Sequence, residues 1–349
     1  EAFRRDTNMV TFAAHLFIDA WPAGWMKTIM DVDRNPKKGF FAYREALKPT
    51  IVSLRSDRRH FYAGEKVQIE SWVCHDPNTI PEGYALKYQL EKNGKVIASG
   101  KTEAQLLANS SLFQGMLTFD AESVKKRTTF LVRAALVNKE GVSVDQTEFE
   151  LDVFPAMEKQ SDLKVAFVGE NENMRYLLEC LDLNVVSDWK KADIIWISDF
   201  DQYDQNEGDI NEMIKNGKRV ILYNVPVGEY QVGNTDITVQ NTSMGSYYFA
   251  SPQTGHRYTK DASPFDFRMW YDEEDKYITP FLDKIVISDD WNPILATGNT
   301  NWVKDSGKAF AAAELNLGKG KLYICQIDLY NRLKTNPVAY FFVKNLIEK

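Results

Sequence analysis

The sequence predicts a multidomain chain that changes texture twice: a strand–loop–helix opening, a two-sheet β-sandwich, then an α/β domain. Three observations predict this. Residues 11–18 form an apolar run that meets Asp19 and a Trp21-Pro22 corner, and an amphipathic stretch follows that ends at Lys48-Pro49. Residues 50–155 alternate apolar and polar in short runs parted by turn residues, the period-2 pattern of half-buried strands. From Leu163 the apolar runs become continuous and alternate with helical stretches, as strands buried on both faces of a parallel sheet do. The expected domains are 1–49, 50–155 and 162–349, with a short polar linker at 155–161.

The opening segment predicts one strand over 11–18, a loop, and a helix over 37–47. A lone unit of this kind cannot bury both of its faces, so it reads as the end of a larger domain. In the second segment, strands are expected at 51–54 and 66–73, with Ala63-Gly64 turning before the latter. Runs at 84–91 and 95–99 flank Asn93-Gly94, a strong hairpin signal because both central residues must take positive φ. Further strands are expected at 115–119, 129–137 and 147–154, with 138–141 as a turn. Six or seven short strands in about a hundred residues point to an immunoglobulin-like sandwich.

The third segment opens with a buried strand at 164–169 ending in Gly169, a helix over 173–181 and a second buried strand at 194–197. A helix over 210–216 is closed by Gly217, the residue that best accepts a left-handed cap. A third strand follows at 220–223, then a long insert rich in aromatic residues, Gly and Pro from 225 to about 300. Runs at 310–315 and 322–327, joined by Gly318-Lys319-Gly320, read as a hairpin. Pro337 opens a final helix over 338–347, since its missing N–H costs nothing in a first turn.

Composition narrows the function classes. The 349 residues are 44% hydrophobic and 26% charged, with net charge −7 and acids and bases interspersed, which argues against a nucleic-acid or anionic-membrane partner. No run reaches the ~18 apolar residues of a membrane span. Cys74, Cys180 and Cys325 are far apart and lie in apolar contexts, so they are expected as buried free thiols rather than a disulfide framework or zinc cluster. His15, His60, His75 and His256 lie in different segments, without the spacing of a metal site. Gly169 lacks further glycines and is followed by Glu170 and Glu172, which would repel a phosphate; a plain strand-to-helix turn is expected. The loop Asp199-Phe200-Asp201-Gln202-Tyr203-Asp204 has Asp204 where a calcium-binding EF-hand needs Gly, and Ile210 where it needs Glu. It reads as a solvated acidic loop capping a helix, with a looser calcium site as the other reading. No cofactor and no metal are expected.

Asp19, Trp21, Pro22, Trp25, Asp31, Arg34, Pro36 and Lys37 fall in register with the last β/α unit of the catalytic barrel of glycoside hydrolase family 2. The segment resembles the β-mannosidase and exo-glucosaminidase branch most. Ile18 stands where that family has Asn, and His15 where it has Trp. The resemblance implies that residues 1–49 are the end of a (β/α)8 barrel. It places Asp19 and Trp21 on the catalytic rim as substrate contacts of the full-length enzyme, with a structural hydrogen bond and a packed Trp-Pro corner as their alternatives. It implies a bacterial, periplasmic or secreted parent that hydrolyses O-glycosyl bonds of carbohydrates with retention and without a cofactor. The two catalytic carboxyl groups of that family follow the fourth and seventh barrel strands, ahead of this segment. No catalytic residue is therefore expected here, and the chain alone is expected to be inactive. Without its sister strands, the 11–18 strand is expected to be displaced, disordered or paired with another chain. The helix 37–47 is expected to dock on the sandwich through Phe40, Phe41 and Leu47.

The third segment is similar to the class I glutamine-amidotransferase-like, flavodoxin-like domains appended to some bacterial glycosidases. Such amidotransferases carry a nucleophilic Cys on a tight strand-to-helix turn. The turns at 196–200 and after Tyr223 contain none, so the resemblance extends to fold and not to activity. A scaffold for homo-oligomer contacts is expected instead, through Tyr247, Tyr248, Phe249, Phe265, Phe267, Trp270 and Tyr271 of the insert, residue types of interface cores. The rival reading is a carbohydrate-binding or oligomerisation module with no catalytic parent.

Overall fold

Turn chemistry and alternation between residues 50 and 155 become eight strands in the computed structural model of the protein. It describes residues 1–9, 11, 16–20, 28–160, 162–169, 171–242, 250–298 and 308–348. The described chain is mainly β, with several sheets of mixed strand direction and few helices. It folds as two units, Glu1–Pro155 and Ala156–Lys349.

The first unit contains α1 (Ala2–Arg5), α2 (Lys38–Ala46), β1 (Thr50–Arg55), β2 (His60–Tyr62), β3 (Lys66–His75), β4 (Ala85–Lys92), β5 (Lys95–Glu103), β6 (Ser110–Asp120), β7 (Thr128–Val137) and β8 (Ser143–Phe154). One sheet runs β1-β3-β6 and is antiparallel; the other runs β2-β8-β7-β4-β5, with β2 parallel to β8 and the rest antiparallel. Asn93 at φ 51° and Gly94 at φ 73° close the β4–β5 hairpin, the twist that matches right-handed strands. Val52, Val67, Ile69 and Val73 of the first sheet share one apolar cluster with Leu86, Phe130, Val132, Leu136 and Leu151 of the second. β2 is three residues long, too short for any period to show in the sequence.

The second unit contains β9 (Lys164–Val168), α3 (Glu172–Leu181), β10 (Asn184–Val185), β11 (Ile194–Ile197), α4 (Phe200–Gln205), α5 (Glu207–Lys215), β12 (Arg219–Tyr223), β13 (Gly228–Val232), β14 (Thr235–Asn241), β15 (Trp270–Tyr271), β16 (Ile278–Thr279), β17 (Lys284–Ile287), β18 (Asn292–Ala296), β19 (Ala309–Leu317), β20 (Gly320–Cys325) and α6 (Pro337–Ile347). Ten strands form one sheet in the order β10-β9-β11-β12-β20-β19-β17-β14-β13, with β18 paired to β19. The half from β10 to β20 is parallel, and the half from β20 to β13 is antiparallel. All four residues of β11 are buried, as a strand covered on both faces must be. Ile195, Ile197, Val220, Leu222, Leu322 and Ile324 pack with Ile210 and Ile214 of α5. Gly169 follows β9 at φ 89°, and a Cβ there would lie 2.6 Å from Cβ of Asp199; the close approach of the neighbouring strand end requires glycine.

The 11–18 run, expected to be displaced without its sister strands, forms no strand in its described residues. Thr11, Leu16 and Phe17 are irregular, and Ile18 makes one isolated parallel bridge to Met30; residues 12–15 lie outside the described residues. The backbone bonds that a ladder would supply come instead from the returning chain, with Met30 N donating to Phe17 O at 3.1 Å and Asp19 N to Met30 O at 3.2 Å. Three expectations need correction. The helix α2 forms as expected but buries no side chain fully; Phe41 is 44% and Leu47 50% exposed. Its C-terminal end is tied by polar groups: Arg4 Nη1 donates to Ala46 O at 2.8 Å and to Lys48 O at 2.7 Å.

The insert between β12 and β19 is not a bare aromatic surface. Phe267 and Trp270 are buried within the second unit, Trp270 stacked on Phe281 at 4.2 Å and Phe267 edge-on to Phe342 of α6 at 5.6 Å. These rings cover the unit's own apolar surface and are not available to a partner. Phe265 is exposed and Tyr271 half-buried, and Tyr247, Tyr248 and Phe249 lie outside the described residues. Lastly, Cys74 and Cys325 are buried free thiols, but Cys180 is only half-buried, because it sits near the end of α3 beside the exposed Glu179.

Candidate functional site

Two places gather polar side chains that sequence reasoning or fold position singles out. The first is the motif segment of the opening residues. Asp19 Oδ2 lies 2.7 Å from Lys37 Nζ, and Thr28 Oγ1 donates to Asp19 Oδ1 at 2.5 Å while accepting from Lys37. The Asp19 side chain is 10% exposed. Between them, Asp31 closes a turn: Asn35 N donates to Asp31 Oδ1 at 2.7 Å and Asn35 Nδ2 to Oδ2 at 3.0 Å, with Arg34 at φ 67°. The side-chain hydrogen bond from Asn35 holds the Asp31 carboxyl below the usual range. Asp19, Thr28 and Lys37 thus form one polar knot, and Asp31, Arg34 and Asn35 shape a turn of their own. Trp21, the other expected substrate contact, lies outside the described residues, as do Pro22 and Trp25.

The second place is a cleft of about 370 Å³ in the second unit, at the carboxyl ends of β12 and β20. In open α/β sheets this edge is where ligands bind, because loops there can vary without disturbing the sheet. Apolar Phe281, Leu282 and Ile327 are buried beside it. The polar lining comes from Asn173, Asn224, Asp283, Gln326, Asp328 and Tyr330. Asn224 takes φ 57° directly after β12, and its N–H donates to Cys325 O at 2.9 Å. Gln326 Nε2 donates to Val225 O at 3.0 Å, while its Oε1 is buried without a hydrogen-bond partner. Tyr223 is buried, accepts from Leu329 N at 3.1 Å, and has its hydroxyl pushed far above the usual range by that burial.

Asp328 and Arg332 set the electrostatics of this edge. Arg332 Nη1 reaches Asp328 Oδ2 at 2.5 Å and Tyr330 O at 2.9 Å; Nη2 reaches Thr279 Oγ1 at 2.9 Å and lies 3.4 Å from Asp272. The guanidinium is 6% exposed; Nη1 and Nη2 are committed, and Nε is buried without a hydrogen-bond partner. Removal from bulk water raises the Asp328 carboxyl, Arg332 opposes this, and Asp283 adds like-charge repulsion. The Asp328 side chain is nonetheless 43% exposed, the condition of a group on a cleft wall: reachable by solvent, yet surrounded by protein. Nothing in the sequence marked these residues except the end of an apolar run at 322–327. Asp328 and Arg332 meet only through the turn after β20.

The tight turn after Tyr223 carries Asn224, and β13 rather than a helix follows. Burial pushes the Cys325 thiol up to about 12 and the Cys180 thiol up to about 11, far from the thiolate that nucleophilic attack requires. Asp199 caps α4 by accepting from Gln202 N at 3.3 Å. Among the described residues no group of three or more His, Cys, Asp or Glu could hold a metal ion, and no described helix is long and apolar enough to cross a membrane.

No protein-family model matches the chain. No curated protein matches it either. Among solved structures, the chain is similar to the crystal structure of Spo0M, a sporulation control protein from Bacillus subtilis, at 13% identity and a TM-score of 0.24. That likeness covers 31% of this chain and 50% of the Spo0M chain, and at that score it carries no argument.

Proposed function

We propose that the chain is the non-catalytic C-terminal part of a family 2-type glycoside hydrolase, whose full-length form hydrolyses O-glycosyl bonds of carbohydrates with retention. The observation that carries this reading is the knot joining Asp19 to Lys37. The first and last motif residues that match the family are 2.7 Å apart, and Asp31 and Arg34 shape the turn between them.

Two features of the remaining chain support the finer domain reading. Two sheets around one apolar core suit an immunoglobulin-like sandwich over 50–155. In the second unit, the parallel strands β10-β9-β11-β12-β20 run second, first, third, fourth, fifth in chain order, the flavodoxin-like arrangement. This supports an amidotransferase-like scaffold over 162–349 without amidotransferase chemistry. Retaining hydrolysis needs two carboxyl groups about 5 Å apart across the sugar, and the family places them outside the matching segment. In this reading Asp19 braces the rim of the barrel, Trp21 offers a flat face to a sugar ring, and the parent is periplasmic or secreted.

The 349-residue chain is expected to release no nitrophenol from a panel of aryl β-glycosides above the blank. The reading frame that encodes it is expected to contain, upstream, barrel strands ending in two Glu residues. A reading frame without them overturns the proposal and leaves a carbohydrate-binding or oligomerisation module. In the full-length enzyme, Trp21→Ala is expected to remove roughly 1–3 kcal/mol of binding energy; an unchanged kcat/KM takes Trp21 out of the site.

A further inference from the structure

We propose that the cleft at the carboxyl ends of β12 and β20 binds a neutral polyhydroxylated ligand of about one sugar ring. This rests on the cleft alone and not on the glycosidase reading. Its volume of about 370 Å³ lies at the small end of ligand pockets, ~300–1,000 Å³, which suits a monosaccharide better than a nucleotide or an oligosaccharide.

The lining decides the chemistry. Asp328 and Asp283 can accept hydrogen bonds, and the amides of Asn173 and Asn224 can donate them. Hydroxyl groups both donate and accept, so a polyol can answer the whole set. An anion would meet two carboxylates, and Arg332 beside them already turns Nη1 and Nη2 to Asp328, Asp272, Thr279 and the Tyr330 carbonyl. A cation would satisfy the acceptors but leave the amides facing a charge that cannot accept from them. The neutral reading also fits Asp328, whose carboxyl is held above its usual range by its surroundings.

The test is calorimetric titration of the whole chain with glucose, mannose, galactose, glucosamine and glucuronate at neutral pH. Saturable binding of at least one neutral sugar is expected, weaker for both charged ones. Asp328→Asn is expected to raise Kd roughly tenfold, the value of a hydrogen bond to a charged group. Asn224→Gly removes an amide while keeping a residue suited to φ 57°; a smaller rise is expected at an unchanged melting temperature. If Asp328→Asn fails to fold, Asn224→Gly carries the test. The proposal is overturned if no neutral sugar binds saturably, if a charged sugar binds more tightly than every neutral one, or if the folded variants bind as the parent does.

Discussion

Asp19 in the opening segment and Asp328 beyond β20 are both carboxylates paired with a cation, yet their surroundings differ in kind. Asp19 is 10% exposed, held by Lys37 and Thr28. Asp328 is 43% exposed on a cleft wall, where removal from water works against its ionised form and Asp283 repels it. The first carboxylate is spent on local structure. The second also has both oxygens engaged, Oδ1 by Tyr330 N–H at 3.1 Å and Oδ2 by Arg332, but it lines the cleft. The contrast shows why a motif carboxylate is not automatically a site: each is paired, but only one of them is exposed on the wall of a cleft.

The largest expected effect tests how Asp328 is held. Arg332→Ala leaves Asp328 and Asp272 without their cation and is expected to destabilise the fold by roughly 3–5 kcal/mol, measured by urea denaturation. A loss below about 1 kcal/mol, the worth of a surface pair, would mean that the pair is solvated and that the two carboxylates do not differ as argued.

A third carboxylate sharpens the comparison. Glu314 is 7% exposed; burial alone would raise it, but His256 at 3.3 Å and Lys321 at 2.8 Å hold it down to about 2. Its folded value lies below its unfolded one. The stability it contributes is therefore present above about pH 4.5 and is lost as pH falls toward 2, an upper bound of roughly 3 kcal/mol. Acid unfolding of Glu314→Gln is expected to show a shallower loss of stability between these pH values than the parent. Parallel curves would place Glu314 with the exposed carboxylates.

Asp19→Ala is expected to cost less, about 1–2 kcal/mol, because Lys37 is 34% exposed and can turn its charge to water. A thermal melt measures it, and a change within error would reduce the Asp19 knot to a surface contact. The smallest effect is that of Asn224→Gly on stability. Relief of the left-handed backbone and the added freedom of the unfolded chain oppose each other, so the net change is expected within about 1 kcal/mol. A larger loss would show that the Asn224 side chain braces the turn rather than facing the cleft.

The strands over 50–155, the buried strands at 164–168, 194–197 and 219–223, the β19–β20 hairpin and α6 were legible because period, turn residues and capping act over a few neighbours. The Asn93-Gly94 hairpin needed no distant contact to be read. The short β2, by contrast, exists only because β8 offers it hydrogen bonds. The 11–18 run looked like a strand, but apolar character is not a ladder, and its described residues make one bridge.

The candidate cleft was not legible at all. Asn173, Asn224, Asp283 and Asp328 are scattered across more than half of the second unit's length, and none has a spacing that names a chemistry. The aromatic insert showed the same limit from the other side: its residue types predicted apolar burial, but whether Trp270 is covered by a partner or by Phe281 depends on where the chain returns. By itself, the sequence determined which segments become strands and helices, and the turns between them, because those preferences are local. Only the tertiary structure decided which carboxylates are buried and which line a cleft, because the desolvation and pairing that set a carboxylate's state come from residues brought near by the fold.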